Sequence, residues 1–179
     1  MINLIGVSGK KQVGKDTFYQ IFNKYIHNYK NMKFADNLKK ICSNLSKEPL
    51  VKFYEHKYYN DILPLWNMTI REFQQFIGSE LRNSDYDIWV NSLLKNFDNK
   101  RSKWVITDVR FENEVEMIKR NNGMIVRIER DNVDENDITS LHISETALDN
   151  YTKWDCVIYN NGNIQDYELK IKDFIQKFS

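Results

Sequence analysis

"INLIGVSGKKQVGKDTF", residues 2–18, decides how this chain is read. Its front, "INLIGV" (2–7), is a short apolar run ending among glycines, as a buried strand should be. After Thr17, the residues Phe18, Ile21, Phe22, Tyr25, Ile26 and Tyr29 recur at helical spacing and predict an amphipathic helix. Between the two lies "GKKQVGKDT" (9–17), whose first seven residues fit G-x-x-x-x-G-K. Backbone N–H groups in such a loop, with the positive end of the helix behind them, cradle phosphates. The eighth place is usually Ser or Thr, whose hydroxyl holds magnesium. Here it is Asp16, with Thr17 one place later.

This order predicts that Gly9, Gln12, Val13, Gly14, Lys15, Asp16 and Thr17 surround a triphosphate, with Lys15 reaching the outer phosphates as a catalytic cation. A carboxylate beside a triphosphate is repelled unless a cation lies between them. Asp16 and Thr17 are therefore the expected magnesium ligands. The alternative is that Asp16 only serves the helix start, where negative charge is favoured. Lys10 either touches a second, acceptor phosphate or faces water.

The chain has 179 residues, enough for one domain with a real core. No apolar run approaches the roughly 18 to 20 residues of a membrane span, and the start lacks the basic lead of a signal peptide. Two cysteines, Cys42 and Cys156, form no metal spacing and suit free thiols in a reducing compartment. The net charge of +1 hides an asymmetry: residues 1–60 carry 11 basic and 4 acidic side chains, and the remainder 15 and 21. A basic segment holding a phosphate loop suits an anionic ligand. The near-neutral total argues against a nucleic-acid partner.

Beyond the loop, "MKF" (32–34) reads as a short strand and residues 35–45 as a helix, while 50–67 carry no clear period. "TIREFQQFIGSELR" (69–82) starts with a capping box, Thr69 and Glu72, and has an apolar stripe of Ile70, Phe73, Ile77 and Leu81. A second helical face is predicted over 86–97. "WVITD" (104–108), "MIVRIER" (124–130) and "CVIYN" (156–160) read as strands, 112–121 as a helix, 131–143 as an acidic loop, and a last helix begins near Ile164. Strands alternating with helices predict an α/β fold with a parallel sheet covered on both faces.

Three further groups carry chemistry. Asp108 ends an apolar strand, where open α/β sheets place ligands, and can orient the attacking group or cap the next helix. Arg110 shares that rim, to bridge phosphates or pair with an acid. On helix 69–82, Arg71, Gln75, Gly78 and Arg82 share one face: arginine grips phosphate, glutamine reads a base edge, and glycine lets a flat ring approach, or the face is simply solvated. Phosphoryl transfer also needs cations from a closing segment. Arg127 and Arg130 are the candidates, on opposite faces if the strand runs through 130, and Arg130 is favoured; His142 lies beyond.

The ordered set "GKKQVGKDT", "FADNLKK", "TIREFQQFIGSELR", "WVITDVRFENEVEMI", "IVRIERD" and "HISETAL" resembles the bacteriophage deoxynucleoside monophosphate kinase family over nearly the whole chain. In that family the G-K-D-T ending is usual. The resemblance implies a P-loop kinase-like three-layer α/β/α fold over 1–179, with an acceptor-binding helical part at about 36–100 and a lid at about 130–146. It implies transfer of the γ-phosphoryl of ATP, with Mg2+, to a deoxynucleoside 5′-monophosphate, for DNA precursor synthesis. Lys10, Asp36, Lys39, Arg71 and Gln75 would line the acceptor site. Arg130, His142, Glu145 and Arg110 would belong to lid or acceptor contacts, and Lys15, Arg130 and Asp108 would be catalytic. The expected location is the cytoplasm, that of the host if the gene is viral, with no membrane partner and with a homodimer left open.

Two other readings stand beside it. A dephospho-coenzyme A kinase-like enzyme would share the fold. A nucleotide switch is suggested by "TKWD" (152–155), but that pattern should follow a strand rather than precede one, and no glycine here has an aspartate three residues before it.

Overall fold

The computed structural model describes residues 2–95, 97–98, 100–131 and 142–178. The middle of the expected lid, residues 132–141, lies outside them. The chain divides into two compact units, residues 1–33 with 97–179, and residues 34–96.

The first unit is built on a five-stranded sheet. Its strands are β1 (Leu4–Ser8), β2 (Lys30–Met32), β5 (Trp104–Val109), β6 (Met124–Glu129) and β7 (Cys156–Tyr159). They lie in the order β2-β5-β1-β6-β7, and every pairing is parallel. The central strand β1 is buried along its whole length, which is why it reads as a nearly unbroken apolar run. Side chains alternate across it. Ile5 and Val7 enter a core with Phe18, Ile21 and Phe22 of α1 (Lys15–Tyr25) and Tyr167, Ile171 and Phe174 of α7 (Ile164–Phe178). The opposite side, at Gly6, meets Ile118 of α5 (Glu112–Arg120), whose Cδ1 would lie 2.5 Å from a Cβ placed there. Helices therefore cover both sides of the sheet, as expected.

Several boundaries move. Helix α1 stops at Tyr25, so Ile26 and Tyr29 are not part of it. Asn28 turns through φ 79, and Tyr29 returns to the core, edge-on to Phe22 at 5.1 Å between centroids. The strand expected at 32–34 is Lys30–Met32, drawn earlier by its ladder with β5. Asp108 lies inside β5, so it does not cap α5; Phe111 holds that position. Strand β6 ends at Glu129, so strand alternation does not reach Arg130.

The second unit holds α2 (Ala35–Ser46), α3 (Ile70–Ser84), α4 (Ile88–Leu94) and a two-stranded antiparallel pair, β3 (Ile62–Leu63) and β4 (Met68–Thr69). Two short 3-10 turns, Leu50–Phe53 and His56–Tyr58, fill the stretch whose periodicity could not be read. That stretch is irregular because it supplies plugs rather than an element: Phe53 and Leu63 enter a core with Cys42, Ile70 and Phe73. The expected helix 86–97 shrinks to seven residues, with Tyr86 left exposed and Phe97 falling in the first unit, against Trp104.

The Thr69 capping box is present. The Thr69 hydroxyl accepts from the Glu72 N–H at 3.1 Å, and the Glu72 carboxylate accepts from the Thr69 N–H at 2.8 Å. Thr69→Ala is expected to lower stability by about 1 kcal/mol, read as a lower urea midpoint at unchanged m-value.

Candidate nucleotide site

The turn from β1 into α1 depends on backbone shapes that side chains resist. Gly9 sits at φ 151, and a Cβ there would lie 2.5 Å from the Ile128 carbonyl oxygen. Gly14 sits at φ 105 as the N-cap of α1, and a Cβ there would lie 2.7 Å from Asn160 Nδ2. Both glycines of the motif are thus required by conformation and by space. Gln12 is also left-handed, at φ 63, and Val13 is buried beneath the loop.

Lys15 opens the helix and folds back over the loop. Its ammonium donates to the Gly9 carbonyl at 2.8 Å and the Lys10 carbonyl at 2.6 Å. Burial, then repulsion from Arg110, lowers its pKa to about 7, against partial support from Glu145, Asp16 and Asp108. The same interactions place Asp16, Asp108, Arg110 and Glu145 around Lys15.

Asp16 is not merely a helix-end charge. Its carboxylate pairs with Lys33 at 2.7 Å and lies 3.0 Å from the Thr107 hydroxyl, which is also 3.1 Å from Asn31 Oδ1. Burial would raise its pKa, but the Lys33 ammonium and Thr107 hydroxyl hold it below the usual carboxylate range. Thr107 and Asp108 are adjacent, so strict strand alternation would aim them at opposite faces. The register slips between them: Gly6 pairs with Ile106, but Ser8 pairs with Val109, so two residues of β5 oppose one of β1. A bulge of this kind re-aims side chains. It accounts for Thr107 reaching Asp16 while Asp108 acts on Lys15.

The rim cations are held by α6 (Ile143–Thr146) and the turn after it. Lys10 donates to the Glu145 carbonyl at 2.9 Å and pairs with Asp149 at 2.5 Å, so it does not simply face water. Arg110 pairs with the Glu145 carboxylate and donates to the Ser144 carbonyl at 3.1 Å. Glu114, buried, accepts from the Arg110 and Phe111 N–H groups at 2.7 and 3.1 Å and fixes that corner. His142 caps α6 by accepting from the Ser144 N–H. Arg130 is exposed just past β6. Arg127 is drawn inward instead, beside Ser8 and over the Trp154 ring at 5.2 Å.

The remaining predicted residues lie in the second unit. Asp36 and Lys39 on α2 are bridged by Tyr54, whose hydroxyl donates to Asp36 at 2.9 Å and whose ring lies 4.2 Å from the Lys39 ammonium. Arg71 and Gln75 are half-buried on α3, and Arg71 Nε is a buried donor that makes no hydrogen bond among the described residues. The role expected of Gly78 is corrected. A Cβ there would lie 3.0 Å from Leu38 Cδ2, and its carbonyl accepts from the Trp89 indole at 3.2 Å, so the glycine admits a neighbouring helix rather than a ring. Arg82 is engaged locally with Tyr86.

Sequence reading passed over Lys33, Thr107, Asn160 and Tyr167. Only Asn160, an amide closing a strand in the run "NNGN", offers even a local cue. "TKWD" is structural: Asp155 accepts from the Ile125 N–H at 2.7 Å and pairs with Lys119, and β7 follows it.

A family model described as deoxynucleotide monophosphate kinase matches residues 44–171. The chain belongs to this family. It is accordingly an enzyme, a phosphotransferase. A protein of Acanthamoeba polyphaga mimivirus, provisionally named a deoxynucleotide monophosphate kinase, is 31% identical over 186 residues, 94% of this chain and 93% of that protein. Among solved structures, dephospho-CoA kinase from Campylobacter jejuni aligns with TM-score 0.58 at 16% identity, over 100% of this chain and 98% of that one. TT1252 from Thermus thermophilus aligns with TM-score 0.56 at 12% identity, over 98% and 97%. At these identities the two structures speak for the fold, which is that of P-loop kinases. Among the described residues, no helix is long and apolar enough to cross a membrane.

The Lys15 pKa has a consequence for stability. It falls from 10.5 to about 7 on folding. Between those values the unfolded chain holds the proton and the folded one does not, so stability rises with pH across that window. Below about 7 both forms are charged and the full cost of burying the ammonium is felt. Lys15→Met is expected to be more stable than the native protein at pH 6.5, with the gap closing toward pH 10.5. Urea unfolding of ligand-free protein at several pH values checks this.

Proposed function

We propose that the loop from Gly9 to Thr17 binds the triphosphate of ATP, and that the enzyme passes its γ-phosphoryl to a deoxynucleoside 5′-monophosphate, yielding ADP and the deoxynucleoside diphosphate. The observation that carries this reading is Lys15: a desolvated ammonium, resting on carbonyls of its own loop, at the positive end of α1. A polyphosphate supplies negative charge that favours the protonated ammonium against the desolvation which lowers its pKa. The family membership supplies the acceptor class.

An acceptor phosphate oxygen attacks the γ-phosphorus as the bond to the bridging β–γ oxygen breaks, with no covalent enzyme intermediate. Lys15 and the loop amides face the charge on the donor phosphates. Arg71 supports an acceptor role because its Nε is a buried donor with no hydrogen-bond acceptor among the described residues, and a phosphate oxygen matches that donor. Asp36, Lys39 and Gln75 belong to the same acceptor role within residues 34–96. Lys10, Arg110 and Arg130 add positive charge at the rim, where Glu145, on the short helix that His142 caps, also stands.

Magnesium suits the oxygens present. Asp16 already attracts a cation in Lys33, and the Thr17 hydroxyl and Asp108 carboxylate add hard donors. Among the described residues no cluster of three or more His, Cys, Asp or Glu could hold a metal. Magnesium in phosphoryl transfer takes one or two carboxylates and completes its shell with phosphate and water. Asp16 and Thr17 would hold it, and it would neutralise charge between the phosphates. The dephospho-coenzyme A kinase-like alternative retains the fold but not the family match. Free Cys42 and Cys156 support a cytoplasmic setting, and the resemblance to bacteriophage members suggests a viral gene and a host cell.

A coupled assay of ATP consumption across deoxy- and ribonucleoside monophosphates tests the reading. Dephospho-coenzyme A as the better acceptor would refute it. Lys15→Met is expected to abolish nearly all turnover. Arg71→Ala is expected to raise the acceptor KM at least about tenfold, losing a charged hydrogen bond worth roughly 1.5–3 kcal/mol, while leaving ATP affinity intact. An unchanged acceptor KM would remove Arg71 from the site.

A further inference from the structure

The phosphate loop is held from outside by two side chains that no motif contains. Asn160, directly after β7, donates from Nδ2 to the Val13 carbonyl at 2.9 Å. Tyr167, one turn into α7, donates from its hydroxyl to the Gly14 carbonyl at 3.1 Å. These are successive carbonyls, and they lie where the loop turns into the helix. Both donors are buried, at 8% and 1% exposure.

Across a trans peptide, the C=O of one residue and the N–H of the next point in opposite directions. Holding the Val13 carbonyl toward Asn160 turns the Gly14 N–H away from β7. Holding the Gly14 carbonyl toward Tyr167 likewise orients the Lys15 N–H. Those two N–H groups stand at the start of α1, where an anion is favoured. We propose that Asn160 and Tyr167 are positioning residues for the donor nucleotide: they fix two peptide planes so that the amides of Gly14 and Lys15 face the phosphates before ATP arrives. The assignment rests on ATP being bound at this loop.

Three further features fit. Both donors stand on rigid supports: the Asn160 N–H donates to the Glu129 carbonyl at 2.7 Å and extends the β6–β7 ladder, and Tyr167 lies in the core with Ile171 and Phe174. Gly14 is compelled to be glycine by this contact, since a Cβ would meet Asn160 Nδ2 at 2.7 Å and Tyr167 Cε1 at 3.3 Å. Burial raises the Tyr167 pKa, so its hydroxyl stays protonated and remains a donor. Tyr167→Phe leaves the Gly14 carbonyl its helical bond from the Phe18 N–H at 2.8 Å, so that variant creates no orphaned acceptor. A change in ATP affinity there reports orientation rather than a damaged fold.

The test is equilibrium binding of ATP, by displacement of a fluorescent ATP analogue, alongside separate KM values for ATP and acceptor and thermal melting without ligand. Tyr167→Phe and Asn160→Ala are each expected to weaken ATP binding about three- to tenfold, the worth of one net hydrogen bond. The acceptor KM should stay within about twofold, and Tyr167→Phe should melt within a few degrees of the native protein. Asn160→Asp, of equal size but with no donor, should weaken ATP at least as much as Asn160→Ala. Unchanged ATP affinity in Tyr167→Phe overturns the proposal, as does an acceptor KM that rises as far as that for ATP. If Asn160→Ala does not fold, Tyr167→Phe and Asn160→Asp decide. Native protein that binds ATP but phosphorylates no deoxynucleoside monophosphate would refute the proposed acceptor while the binding comparison still decided this one.

Discussion

The constraint on which the first unit turns is the gathering of positive charge and backbone amides at the end of a buried strand, where burial strips much of the water from Lys15. β1 is covered on both sides, so its exit is a sharp turn against neighbouring strands, and the Ile128 carbonyl leaves no room for a Cβ at Gly9. Within that turn Lys15 loses much of its hydration and is pushed toward neutrality. The ammonium rests on two loop carbonyls. A polyphosphate would be a better partner than either, and that difference is the physical basis of the nucleotide-binding role proposed for the turn.

The surrounding charges follow from the same economy of burial. Arg110 beside Lys15 would be costly alone, and Glu145 faces it. Asp16, next to the lysine in sequence, is drawn to Lys33 and the Thr107 hydroxyl. Lys10 and Arg110 at the rim already have acids, Asp149 and Glu145, so in the proposed role substrate phosphates would enter there by exchanging partners rather than by meeting bare charge. Pairing of this sort limits the cost of gathering like charges at the rim.

The second unit shows the limits of periodicity. The capping box at Thr69 was legible because both of its bonds span three residues. The stretch 50–67 was not, because Phe53 and Leu63 are apolar for the sake of a core assembled from α2 and α3, not for the sake of any helix or strand of their own. Gly78 carries the same lesson: its spacing put it on a face with Arg71 and Gln75, but its small size serves Leu38 on another helix. At Arg127 and Arg130 the alternation rule failed, because the strand ended one residue before it could apply.

By itself the sequence determined the strand, glycine turn and helix around residues 4–25, the alternation that makes a parallel sheet, and the candidate cations of the loop. All are local: a period, a cap, or a glycine spacing is complete within a few residues. Tertiary structure alone decided what orients them. Asn160 reaches Val13 across 147 residues, Tyr167 reaches Gly14 across 153, and Thr107 reaches Asp16 across 91. A side-chain hydrogen bond over such a separation leaves no period in the chain. It exists only once the parallel sheet brings the ends of β1, β5 and β7 to one edge.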